Sequence, residues 1–251
     1  MPNGRFFDRI GKVHFIIMPR FFVDGQPENG VLVLQGEDAH HAGRVLRLRP
    51  GEAVTLCDGK GTDYDCTVER LDKDAVICCV HDCHPADTEP KQRLTLFMAL
   101  PKGDKMEWIV QKAVELGVSN IVPYLSKNCV SRPDKTDKKV ERWRKIAAEA
   151  AKQCGRGVLP TVGAVIPVGQ AIAQAAQSET ALFLYENERQ TGLRDALAAG
   201  VGKDVSLLVG PEGGFAPEEA ETARQAGLKS VSLGTRILRC ETAPVAALAA
   251  I

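Results

Sequence analysis

Two hydrophobic periodicities divide the chain. Between residues 31 and 80, apolar and polar positions alternate in four short runs, 31–34, 53–57, 64–71 and 75–80, separated by Asp58, Gly59, Gly61 and the cluster 72–74. A period of two bounded by turn residues predicts strands, and several short strands in succession predict a small barrel or sandwich. Residues 84–91, with Pro85, Pro90 and several charges, have linker composition. Beyond them the period lengthens. Residues 93–100 read as a strand, after which Met106, Ile109, Val110, Ala113 and Val114 recur at helical spacing and Gly117 stands where a C′ glycine would end the helix.

The same logic continues to the last residue. Residues 118–124 predict a strand; Val140, Trp143, Ile146, Ala147, Ala150, Ala151 and Cys154 predict one helix face ended by Gly155, with Lys139, Arg142 and Lys145 opposite. Strands at 180–185, 205–209 and 229–233 alternate with helices near 169–177, 191–199, 217–226 and 242–251. Alternation of this kind implies an α/β domain, a parallel sheet covered by helices.

Composition narrows the class. At 251 residues with 44% apolar and 25% charged side chains, the chain has the make-up of one large or two smaller globular domains and not of a disordered or fibrous protein. The sequence has no run of eighteen apolar residues, so no membrane partner is expected. Thirty-two basic and thirty-two acidic residues cancel, which argues against nucleic-acid binding by bulk positive charge. The eight cysteines sit in apolar or alternating contexts without a recognisable secretory leader, so reduced thiols and a cytoplasmic location are expected.

The sharpest local signal is Val209-Gly-Pro-Glu-Gly-Gly-Phe215, between a predicted strand and a helix that begins at Pro217. Ligands of open α/β sheets bind at this edge, and glycines let a ligand approach the backbone. A tight strand-to-helix turn would explain the glycines equally well. The spacing fits neither a P-loop nor a dinucleotide fingerprint, and Glu212, Glu218 and Glu219 would repel a pyrophosphate, so a ligand without phosphates is expected. Residues 233–243 follow the next strand and should lie beside this loop. Thr242 and Pro244 suit a helix start, which leaves Arg236, Arg239 and Glu241 without a structural reason.

A basic stretch, 132–156, carries nine Lys or Arg against four acids, and Arg44, Arg47 and Arg49 add a second stripe. Such runs are commonly solvated faces; phosphate contact is the sharper reading. The cluster Cys78, Cys79, His81, Cys83 and His84 continues a strand and leaves no loop to close a tetrahedron, so no metal is expected.

Six strings occur in order from Met18 to the end. They are Met18-Pro-Arg-Phe-Phe-Val, His41-Ala-Gly-Arg-Val-Leu-Arg-Leu, Lys105-Met-Glu-Trp-Ile-Val-Gln-Lys-Ala-Val-Glu-Leu-Gly, Gln153-Cys-Gly-Arg, the 209–215 loop and Leu233-Gly-Thr-Arg-Ile-Leu-Arg-Cys-Glu-Thr-Ala. The ordered set resembles the RsmE family of 16S ribosomal RNA uridine-N3 methyltransferases. That resemblance implies a PUA-like RNA-binding β-barrel over 18–88 and a SPOUT domain over 89–251, with residues 1–17 an extension before the usual start. The SPOUT domain would be an α/β domain whose trefoil knot binds S-adenosyl-L-methionine.

It also implies a homodimer, 16S rRNA of the small ribosomal subunit as partner, and specific residues. The cofactor would be held by Leu184, Gly210, Pro211, Glu212, Gly213, Leu233, Gly234, Ile237, Leu238 and Arg239. Arg239 is the candidate cation for charge developing on the uracil oxygens, Glu241 would orient it or accept the N3 proton, and Arg20 matches an arginine near the family's start. RNA contacts are expected from Arg20, Arg44, Arg47, Arg132, Arg142, Lys145, Gln153 and Arg156. The alternatives are a non-catalytic RNA-binding or ribosome-assembly factor with the same fold, or a SPOUT methyltransferase acting at another RNA position.

Overall fold

The computed structural model describes residues 18–130 and 136–251, together with the backbone of two short paired strands, β1 (Arg5–Phe7) and β2 (Val13–Phe15). The reading of 1–17 as an extension falls almost entirely outside the described residues, and so does Arg132. By internal contacts the chain forms two units, Met1–Asp87 and Thr88–Ile251.

In the first unit, β3 (Arg20–Phe22), β4 (Val31–Gln35), β5 (Ala53–Cys57), β6 (Thr62–Leu71) and β7 (Ala75–Pro85) form a sheet in the order β3-β5-β6-β7-β4. Its pairs are antiparallel except β3 with β5. All five strands contribute to one core, with Phe21, Leu32, Leu34, Val54, Leu56, Tyr64, Val68 and Val76 buried, so the sheet must curl around that core. Register shifts between β6 and β7 at Asp65/Cys66 and Val68/Arg70 supply bends, since an extra residue on one strand increases local twist.

Two elements of this unit have no clear signature in the apolar pattern. β3 is three residues long, too short to display a period. The helix α1 (Gly36–His40) runs into a π-helical turn (His41–Val45) and buries only Ala39 and Ala42, so its apolar face is almost invisible in sequence. At the other end β7 extends to Pro85, where its partner across β6 is Thr62, and takes two residues from the expected linker. Inside, the Arg20 guanidinium makes a two-pronged pair with Asp63, with Nη1 at 2.8 Å from Oδ2, and Asp63 is buried.

The second unit is a parallel α/β layer structure. Its elements are β8 (Arg93–Ala99), α2 (Lys105–Glu115), β9 (Val118–Leu125), α3 (Thr136–Cys154), β10 (Thr161–Val162), β11 (Ile166–Pro167), α4 (Val168–Ala175) and β12 (Thr180–Leu184). After these come α5 (Leu193–Ala198), β13 (Asp204–Val209), α6 (Pro217–Gln225), β14 (Lys229–Val231) and α7 (Thr242–Leu248). The strands lie in the order β10-β9-β8-β13-β12-β14, every pair parallel, with β11 also on β9. β13 is central and its last five residues are buried, the continuous apolar run expected of a strand covered on both faces.

Helical periodicity places its residues as read. Met106, Ile109, Val110, Ala113 and Val114 are all buried, and Gly117 follows α2 at φ 90°, a conformation that suits glycine. On α3, Val140, Trp143, Ala147, Ala150 and Ala151 are buried, while Ile146 and Cys154 are only half-buried at its edges. Sheet order then decides what meets at the carboxyl edge. β12 lies between β13 and β14, so the segments leaving these three strands are neighbours. The chain leaving β14, on the outside of β12, comes back to α7, which packs on α2 and β13.

Arg156 is 3% exposed, and its interior place is specific. Its Nη2 lies 2.6 Å from Glu89 Oε2 and Nη1 donates to the carbonyls of Val114 and Val118, closing the C-terminal end of α2 against β9. Glu89 also accepts from the Gly157 and Val158 amides; burial alone would raise its carboxyl, but these donors and Arg156 hold it below the usual range. Removing one member of such a pair leaves the other desolvated. Arg156→Met is expected to lower stability by about 3 kcal/mol in urea unfolding, a loss visible without any RNA present.

Candidate functional site

The segments after β12, β13 and β14 enclose a pocket of about 570 Å³, within the size range of small-ligand sites. Leu184, Val209, Val231, Leu233, Leu238 and Ala243 give it apolar walls, and Glu186, Arg189, Arg236 and Arg239 bring charge to it. All ten residues expected to hold a cofactor line this one cavity: Leu184, Gly210, Pro211, Glu212, Gly213, Leu233, Gly234, Ile237, Leu238 and Arg239. Arg239 is exposed and its guanidinium has no partner among the described residues.

Two glycines in the loop after β13 stand where a side chain would be strained or crowded. Gly214 has φ 65°, and a Cβ added there would lie 2.0 Å from Glu186 Oε1; one added at Gly210 would lie 3.2 Å from the buried Phe215 ring. The loop is held from outside the pocket as well. Asn128 Nδ2 donates to the Gly213 and Gly214 carbonyls at 3.1 and 3.2 Å, and Tyr124, fully buried, donates its hydroxyl to the Val209 carbonyl at 2.8 Å. Just beyond, Glu219 accepts from the Ala216 amide at 3.0 Å and the Lys127 amide at 2.8 Å, which caps α6 and ties it to the segment after β9. Phe215 meets Phe183 edge to face at 5.7 Å, and Arg224 lies 5.1 Å from the Tyr185 ring centre.

Glu212 turns its charge away from the role the sequence reading gave it. Its carboxylate accepts from the Lys102 amide at 3.1 Å and from Lys105 Nζ at 3.0 Å. Burial would raise it, but its own amide, Lys105 and Lys102 hold it below the ordinary value. Repulsion of phosphates by this side chain is therefore weaker than its bare charge implies.

Glu241 is corrected more strongly. It is not among the lining residues; its Oε2 lies 3.0 Å from Lys105 Nζ and accepts the Cys240 thiol at 3.2 Å. Burial pushes it up, yet its own amide, Cys240 and Lys105 hold it low, and its partners among the described residues are Lys105 and Cys240 and not Arg239. The Cys240 thiol is pushed up to about 12 by burial and by the carboxylates beside it, so it stays protonated and unreactive.

Arg20 is also not among the lining residues; its guanidinium is engaged by Asp63 in the first unit. Of the basic residues, Arg44 and Arg47 are exposed beside the π-helical turn, with Val45 and Leu46 exposed between them. Arg142, Lys145 and Gln153 are exposed on α3, where Arg142 Nε lies 2.7 Å from Glu107. Arg156 leaves this set, because its interior ion pair removes it from the surface. Lys105, Asn128 and Tyr124 were missed by sequence reasoning. Each acts from a distant element onto a pocket loop, and nothing in local spacing marks such a contact; Lys105 alone had a signal, as the first residue of a helix start.

The chain thus contains a curled five-stranded sheet unit and a parallel α/β unit with a glycine-rich carboxyl-edge pocket. Residues 88–251 match the RNA methyltransferase domain family and residues 34–78 the RNA methyltransferase PUA domain. The ribosomal RNA small subunit methyltransferase E of Bacillus subtilis (strain 168) is 34% identical, covering 93% of this chain and 96% of its own. Its Mycobacterium bovis counterpart is 33% identical, covering 92% of this chain and 90% of its own. The crystal structure of ribosomal RNA small subunit methyltransferase E from Neisseria gonorrhoeae bound to S-adenosyl methionine is 33% identical, with TM-score 0.82 over 93% of this chain and 96% of that one. The chain belongs to the ribosomal RNA small subunit methyltransferase E family.

Two predictions test this construction. Asn128→Ala removes both bonds to the glycine loop and should lower stability by about 1 to 2 kcal/mol in chemical denaturation. For acid, the sign follows from depressed carboxylates. Ser230, together with the Gln190 and Thr191 amides, holds Glu188 at about 2 against 4.5 ordinarily, and Glu212 and Glu241 are also lowered. Their contribution is complete above the unfolded value and is lost as pH falls through the folded one. Melting temperature should fall between pH 4.5 and 2, and Glu188→Gln should fall less steeply over that window.

Proposed function

We propose that this protein transfers a methyl group from S-adenosyl-L-methionine to N3 of a specific uridine in 16S rRNA, and that it does so as a homodimer in the cytoplasm. The observation that carries the reading is the cavity formed by the three carboxyl-edge segments, with Arg239 exposed at its wall and without a side-chain partner among the described residues. Its contents fit the donor. Apolar walls from Leu184, Val209 and Leu238 suit an adenine ring and a methionyl chain, glycines 210, 213 and 214 put no side chain between the ligand and the main chain, and Arg189 and Glu186 offer partners for a carboxylate and an ammonium. When bound, the donor supplies a methyl carbon made electrophilic by its sulfonium.

Uridine N3 becomes nucleophilic only as its proton leaves, and charge then grows on O2 and O4. Arg239 would hold that charge. N3 lies on the pairing edge, so the target must be unpaired or extruded, which favours a folded rRNA loop over duplex. Exposed Arg44, Arg47, Arg142, Lys145 and Gln153 would track phosphates, whereas Arg20 and Arg156 serve their own units through Asp63 and Glu89. The return of the chain from β14 to α7 supports a trefoil knot around the pocket, and Ile237 at 83% exposure and Trp108 at 43% are apolar surface that a second subunit could cover.

Labelled donor, undermethylated small subunits and this protein should give a reverse-transcription stop one nucleotide before the product, because N3 methylation blocks pairing. A ribose-methylated product, or binding without transfer, would replace the proposal. Arg239→Ala should keep donor affinity within a few-fold by calorimetry and cut transfer sharply; lost binding with intact chemistry at saturation reverses that role. Charge reversal at Arg142 and Lys145 should raise the apparent KM for RNA and flatten its salt dependence.

A further inference from the structure

Lys105, the first residue of α2, stands behind the pocket between two of its walls. Its ammonium lies 3.0 Å from Glu212 Oε1 and 3.0 Å from Glu241 Oε2. Glu212 belongs to the glycine loop after β13, and Glu241 follows Arg239 by two residues on the segment after β14. A single cation therefore joins the two crossovers whose separation sets the pocket's width. The cluster has two further members. The Lys102 amide fixes Glu212 to the turn before α2, and the Cys240 thiol, 3.8 Å from the ammonium, donates to Glu241.

An ordinary surface ion pair contributes little, because water screens it and two long side chains must be held still. This arrangement differs in what its removal leaves behind. The three charged side chains are between 26% and 32% exposed, and the two carboxylates meet the same ammonium. Without it, two like charges would face each other within the ~6 Å at which one carboxylate disturbs the other's ionisation. The loss is a repulsion between walls and not simply a missing attraction. We propose that Lys105 is a positioning residue that holds the glycine loop and the Arg239 segment together through Glu212 and Glu241, and thereby sets both donor affinity and the placement of Arg239. The affinity part rests on reading the pocket as a methyl-donor site.

Depressed carboxyls at Glu212 and Glu241, and a lysine held well above its usual range, agree with a charge cluster that is fully ionised near neutrality. Cys240 stays protonated there, so the groups free to respond once the lysine is gone are the two carboxylates.

The test compares wild type with Lys105→Met, Lys105→Arg and the double variant Lys105→Met, Glu241→Gln. Calorimetry gives the Kd for S-adenosyl-L-methionine at about pH 8 and about pH 5.5, and hydrogen exchange of residues 210–214 is followed in protein without donor. Lys105→Met should raise Kd about tenfold at the higher pH and less at the lower, where protonation of one carboxylate relieves the repulsion. Lys105→Arg should stay within about threefold, and the double variant should regain most of the lost affinity. Exchange in the glycine loop should speed up in the same order.

Equal Kd for wild type and Lys105→Met at both pH values, or a double variant no better than the single, overturns the proposal. If Lys105→Met does not fold, Glu241→Gln alone decides, since loosening only the Arg239 side should still accelerate exchange, and unchanged exchange would end the idea. Wild type that binds no donor would sink the pocket's ligand while the exchange series still judged the clamp.

Discussion

The order of strands in the parallel sheet is the constraint on which the remaining architecture rests. Parallel neighbours cannot be joined by a tight turn, so each connection crosses a face of the sheet and every strand ends on the same edge. Because β12 is inserted between β13 and β14, three segments distant in sequence end side by side. The 570 Å³ cavity is a consequence of that adjacency, and its chemistry is whatever those segments carry past the strand ends.

Around this edge, polar contacts do the work of alignment that packing alone would leave loose. Tyr124 fixes the end of β13, Asn128 braces the glycine carbonyls, Glu219 anchors the start of α6 and Lys105 spans two loops. Most of these bonds use a backbone amide or carbonyl as one partner, so each locks main chain and not merely a side-chain rotamer. The surface facing the ligand is thereby left mainly to glycine, apolar side chains, arginine and Glu186. The same division explains why Glu212 and Glu241, acids on pocket segments, are directed to a lysine behind the walls.

The basic residues separate into two physical classes that look alike in sequence. Arg142 and Lys145 are exposed on α3, Arg142 in a surface pair with Glu107, while Arg20 and Arg156 are held by Asp63 and Glu89 inside their units. Arginine suits both tasks because its planar fork meets a carboxylate or a phosphate with the same geometry. An arginine-rich family motif thus mixes residues that hold the fold with residues that touch the substrate.

Periodicity in the sequence determined the longer strands and the helices of the second unit, the buried faces of α2 and α3, and the two glycine-bearing segments, since each of these is encoded in residues a few positions apart; the two-residue strands β10 and β11 are too short to show a period. The ordered motifs determined the family. Tertiary structure alone decided that Glu241 faces Lys105 and not the pocket, that Arg156 is interior, and that β3 and the short helix at Gly36–His40 exist. The physical reason is range: a charge chooses its partner, and a three-residue strand its pairing, across tens of residues of chain, and that choice is made only when the sheet has brought the candidates together.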